Sequence, residues 1–110
     1  MRKLFILGIA AVGLLAATEA SARMSDQEFI RANRCAGLIG SAALDGGPQD
    51  TAEIEAKLRT EANSRPGFVA DMGERARSSA SREARHASAE RKARLVAERD
   101  GVCRAYLQQP

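Results

Sequence analysis

Ser25–Ala43 reads SDQEFIRANRCAGLIGSAA, and its spacing decides the fold class. Ser25-Asp26-Gln27-Glu28 is a capping box, in which the serine hydroxyl takes the amide three residues on and Glu28 reaches back to the cap. Phe29, Ala32, Ala36, Ile39 and Ala43 then recur at helical spacing. Cys35, Leu38 and Ala42 widen that stripe, which places Cys35 on the apolar side of an amphipathic helix. Gly37 and Gly40 each lower helix propensity by about 1 kcal/mol relative to Ala and permit a close helix approach. Asp45-Gly46-Gly47-Pro48 stops the run.

The same grammar continues downstream. Asp50-Thr51-Ala52-Glu53 reads as a second capping box, followed by Ile54, Leu58 and Ala62 on one narrow stripe. Glu53–Lys57, Glu55–Arg59 and Glu61–Arg65 are spaced as i, i+4 ion pairs. Asn63-Ser64-Arg65-Pro66-Gly67 breaks this second helix. Phe68, Val69, Met72 and Ala76 open a third face. Ala76–Ala93 is then Ala, Arg, Ser and Glu with no clear apolar stripe. One helix over 68–107 would be about 60 Å long, awkward for so short a chain, so a break or kink is expected near Ser78–Ser81. Residues 75–94 are read as either frayed or part of an extended helix. At the end Leu95, Val102 and Tyr106 share a side, with Val96, Cys103 and Leu107 beside it. No stretch alternates with β-branched enrichment, so the expected fold is all-α: a small bundle of three to four helices.

Two cysteines, Cys35 and Cys103, lie near opposite ends of the bundle region, each beside apolar neighbours. In an exported chain they most simply form one disulfide. By loop-closure entropy such a bridge contributes roughly 4 kcal/mol, a large part of the ~5–15 kcal/mol typical of a folded domain. Redox catalysis usually uses a close pair such as Cys-x-x-Cys, which is absent here.

The export expectation comes from residues 1–22. Arg2 and Lys3 precede the apolar run Leu4–Ala17, and Ala20-Ser21-Ala22 fits a signal-peptidase site. Those 14 residues would span about 21 Å of helix, short of a roughly 30 Å hydrocarbon core. A cleaved signal is therefore expected rather than an anchor, with residues 23–110 as a single helical domain in the bacterial periplasm or outside the cell.

Charge is uneven. Residues 23–74 carry six basic and nine acidic side chains, a net of −3, whereas 75–110 carry nine and four, a net of +5. Arg75, Arg77, Arg82, Arg85, Arg91, Lys92 and Arg94 form the candidate anion-binding set. The competing reading is that they pair within the fold. Nucleic acid is not an expected partner: export separates the chain from it, and no aromatics interleave the cations for base stacking. His86 is the single histidine, so no metal site or cofactor is expected. Ser78, Ser79, Ser81 and Ser88 near His86 lack a recognisable catalytic arrangement.

In size, helicity and single bridge the chain resembles small two-cysteine helical proteins of the bacterial periplasm, some of which act as acid-stress chaperones. The resemblance assigns no residue a role. The first expectation is a non-enzymatic interaction module whose partner is another envelope protein. The second is an anion-binding protein that uses Arg-rich residues 75–104 on lipopolysaccharide or a phospholipid surface. The third is a conditional periplasmic chaperone.

Overall fold

A computed structural model describes residues 23–108. The expected signal, residues 1–22, lies outside them. The described residues form four helices and a single-turn fifth: α1 (Asp26–Ile39), α2 (Ala52–Asn63), α3 (Gly67–His86), α4 (Ala89–Asp100) and α5 (Arg104–Gln108). No strand occurs among them. The all-α bundle joined by Cys35–Cys103 is present, with the two Cα atoms 5.3 Å apart, a normal span for a disulfide.

α1 begins as its capping box dictates. The Glu28 amide donates to Ser25 Oγ at 3.1 Å and the Ser25 amide to Glu28 Oε1 at 3.0 Å. It stops at Ile39, a turn earlier than the stripe through Ala43 implies. The chain then bends so that Ser41 and Leu44 still reach the interior. Gly46 and Gly47 have φ of 93° and 69°, the left-handed region that glycine enters without a Cβ penalty. The Asp45 carbonyl beside them accepts from Arg99 Nη1 at 2.9 Å.

The expected Asp50 capping box does not form. Thr51 is the N-cap of α2, and Asp50 Oδ1 accepts from the Ala52 amide at 2.9 Å from one position earlier. Thr51 turns its hydroxyl to Glu55 instead. Of the expected i, i+4 pairs, Glu61–Arg65 forms, while Glu55 takes Arg77 of α3.

The expected break at Ser78–Ser81 is also overturned. α3 runs through it to His86, and the interruption falls at Ala87–Ser88, where Ser88 Oγ caps α4 by accepting from the Arg91 amide at 3.2 Å. The reason is a buried seam of small residues. Ala80 and Ala84 are fully enclosed. A Cβ on Gly37 of α1 would stand 2.5 Å from the Arg77 carbonyl oxygen and 3.1 Å from Ala80 Cβ. A Cβ on Gly73 of α3 would stand 2.7 Å from Phe29 Cε2 and from Asn33 Nδ2. Each helix thus lends a glycine to a close crossing, and α1–α3 is the most extensive contact between helices. The stretch 75–94 is helical on both sides of Ala87–Ser88.

Phe29, Leu38, Ile39, Leu44, Ile54, Leu58, Val69, Leu95 and Tyr106 complete the core around the bridge. Three residues read as part of the apolar faces lie outside it: Phe68 is 68% exposed, Val102 59% and Met72 46%. Arg99, read only as a charge, is buried beside Asp100, whose carboxylate accepts from its Nε at 2.9 Å. α2 and α3, although consecutive, make little contact with each other; both rest on α1.

Candidate functional site

The basic set is divided by the fold. Arg77 donates from Nη1 to Glu55 Oε1 at 2.9 Å, and from Nη2 to Asn33 Oδ1 at 3.5 Å. Arg91 forks onto Glu83 Oε2 through Nε at 2.9 Å and Nη2 at 2.6 Å. These two are structural ties. Glu83 also accepts from Arg34 Nη1 at 3.1 Å, and Arg34 clasps both oxygens of Glu98 at 2.8 and 2.9 Å. One guanidinium of α1 therefore fastens α3 and α4 together. Arg91 first, and then Arg34, hold the Glu83 carboxyl below the usual carboxylate range. Arg34 is raised above its ordinary value, chiefly by Glu98.

The side chains of Arg75, Arg82, Arg85, Lys92 and Arg94 make no hydrogen bond or ion pair among the described residues. Arg75 and Arg82 stand on the side of α3 turned away from α1. Phe68, Met72, Arg75, Ser79 and Arg82 follow one another at i, i+4, i+7, i+11 and i+14, and all five are exposed. The buried residues Val69, Gly73, Ala80 and Ala84 define the opposite side. The outer face of α3 is thus apolar at its start and cationic beyond. Lys92 and Arg94 lie on α4, beyond the break, so the seven cations do not form one surface. The exposure of Phe68 and Met72 was legible only as two apolar letters at i, i+4, which read equally as core.

A second feature is the cleft that splaying leaves between α2 and α3. Asn33 of α1, 4% exposed, lies at its floor, with Glu55 and Arg59 on one wall and Glu74 and Arg77 on the other. The Thr51 hydroxyl, followed by Arg77, holds Glu55 below its ordinary pKa. Sequence reading paired Glu55 with Arg59 on one helix and placed Arg77 in the candidate anion-binding set, because the splay cannot be seen one helix at a time.

His86 is exposed at the end of α3. Ser78 and Ser79 face solvent and Ser88 is a cap, so the structure does not gather them around it. Among the described residues no group of three His, Cys, Asp or Glu side chains is placed to hold a metal ion. No described helix is long and apolar enough to cross a membrane.

Fold and surface together define a class: a small all-α, disulfide-stapled bundle with a mixed apolar and cationic helix face. Comparison of the chain with protein-family models, with curated proteins and with solved structures found no match.

Proposed function

We propose that this chain is an exported, non-enzymatic interaction module that docks an envelope protein through the outer face of α3. The observation that carries the reading is the exposed pair Phe68 and Met72, one turn apart and continued by the unpaired cations Arg75 and Arg82. Adjacent exposed large apolar side chains bordered by charge are a feature of protein interaction sites. Their helix is held by the Gly37–Ala80 seam and by the Arg34–Glu83–Arg91 ties, so the face is presented rigidly and little ordering cost falls on binding. Export is supported by the Arg2-Lys3 and Leu4–Ala17 pattern, and by a buried disulfide of the kind that persists in oxidising compartments.

The test is a photoreactive aromatic amino acid placed at position 68 of the oxidised protein in cells, with position 60 on α2 as the control. A discrete adduct from 68 and none from 60 is expected. The adduct should be lost on substituting Met72→Ser, which should leave the unfolding temperature unchanged. Identical adducts from both positions, or none from 68, would reject the reading. A second reading, binding to an anionic lipid surface, is favoured by the unpaired Arg75, Arg82 and Arg85. Co-sedimentation with phosphatidylglycerol vesicles that disappears at high salt would move the assignment there.

A further inference from the structure

The cleft between α2 and α3 lies on the opposite flank of α3 from Phe68 and Met72, and its charges are arranged in opposed pairs. One end is closed by the Arg77–Glu55 ion pair, which spans the two helices at 2.9 Å. Behind it the buried Asn33 is engaged through Nδ2 with the Phe29 carbonyl at 3.0 Å. One turn nearer the α2–α3 connection, α2 presents Arg59 and α3 presents Glu74. Both line the cleft, yet no salt bridge joins them. About one turn nearer still to the connection, Ala62 and Ala70 line the cleft with small apolar side chains.

The space in the cleft is about 130 Å³. It has room for several water molecules, and so suits a molecule of a few heavy atoms. A simple anion entering it would meet Glu55 and Glu74, and a simple cation would meet Arg59 and Arg77. A molecule carrying both charges meets a partner for each. We propose that this cleft binds a small zwitterion of the amino-acid type, its carboxylate on the Arg59 guanidinium and its ammonium on the Glu74 carboxylate. A methyl-sized side chain lies against Ala62 and Ala70. Arg77 and Glu55 set the end wall and stay with each other. The two anchoring groups sit in water at the rim, so affinity falls in the millimolar range, about 1 mM.

The experiment is an NMR titration of the oxidised protein with L-alanine. Ethylammonium and propionate serve as probes that each lack one of the two charges. L-Alanine should shift the resonances of Ala62, Ala70 and the Asn33 side-chain amide saturably, and neither single-charge probe should do so over the same range. Arg59→Gln and Glu74→Gln change exposed side chains and should keep the wild-type unfolding temperature. Each should weaken L-alanine binding about five- to tenfold, the size of a partly solvated charged hydrogen bond. Ala62→Leu fills the space and should abolish the shifts. The proposal is overturned if propionate or ethylammonium shifts these resonances as strongly as L-alanine. It is equally overturned if both rim variants bind like the wild type, or if no cleft resonance moves at about ten times 1 mM L-alanine.

Discussion

Gly37 is the residue on which the central helix crossing turns. Glycine inside a helix ordinarily costs about 1 kcal/mol against alanine, so Gly37→Ala on an isolated helix would stabilise. Here the added Cβ meets the Arg77 carbonyl oxygen at 2.5 Å, and backbone cannot rotate aside as a side-chain tip can. Overpacking of this kind costs ~1–3 kcal/mol and outweighs the propensity gain. Gly37→Ala should therefore lower the urea midpoint at unchanged slope, and a raised midpoint would show that α1 and α3 can separate cheaply. Arg99 offers a second test at this scale. Its Nη1 bond to the Asp45 carbonyl holds the turn containing Gly46 and Gly47. Arg99→Met keeps the buried stem and removes the donor. Hydrogen exchange should quicken at the Gly47 amide, which donates to the Leu44 carbonyl at 3.0 Å, while amides in the middle of α1 exchange as before.

Among the elements, α3 and α4 are joined by electrostatics where apolar contact is thin. Glu83 receives Arg91 from α4 and Arg34 from α1, and both guanidinium groups depress its pKa. A carboxyl lowered in the folded state contributes stability that is fully present above its unfolded pKa, near 4.3. That contribution is lost as pH falls through the lower, folded value. Unfolding temperature should thus decline on acidification below about pH 5, and Glu83→Gln should flatten the decline while lowering stability at neutral pH. Equal slopes in wild type and variant would assign the acid sensitivity to other carboxylates. The helices were unequally legible in the sequence. α1 declares itself through the Ser25 box and the stripe from Phe29 to Ile39, because large apolar residues contrast with charged ones. The continuity of α3 through Ser78–Ser81 left no such mark. Its buried seam is Gly73, Ala80 and Ala84, and alanine looks the same whether it lines a crossing or faces water. The Asp50 box matched the letters but missed by one residue, since Asp50 and Thr51 compete for the cap and only backbone geometry chooses. The charges of the cleft were visible in the chain, but their opposition depends on an angle between α2 and α3 that no single helix encodes.

For the whole molecule, the Cys35–Cys103 bridge links the middle of α1 to the corner between α4 and α5, and both residues are fully buried. Its expected thermodynamic weight follows from the length of chain it closes. Cys35→Ala/Cys103→Ala should lose roughly 4 kcal/mol by denaturant unfolding, leaving a bundle near the edge of stability at growth temperature. The kinetic consequence is sharper. A thiolate must reach a sulfur in line with the S–S bond, and neither sulfur can be approached while α1, α4 and α5 are in place. The corner residue Cys103 is held from below by its own amide, which donates to the Glu98 carbonyl at 3.1 Å, and α5 rests on α2. Two openings could expose it: release of α5 alone, or separation of the whole bundle. They differ in how much surface they uncover, and hence in how strongly urea accelerates them. Because Cys103 precedes α5 and its amide stays bonded to the Glu98 carbonyl of α4, detaching α5 alone does not draw its sulfur away from α1, and the global route should dominate. Reduction by dithiothreitol in native buffer should therefore be slow. Its rate should climb with urea along the full equilibrium slope, and Gly37→Ala, which loosens a crossing remote from α5, should speed it in proportion to the stability lost. A reduction rate indifferent to Gly37→Ala and nearly flat in urea would instead make the final turn a local gate to the bridge.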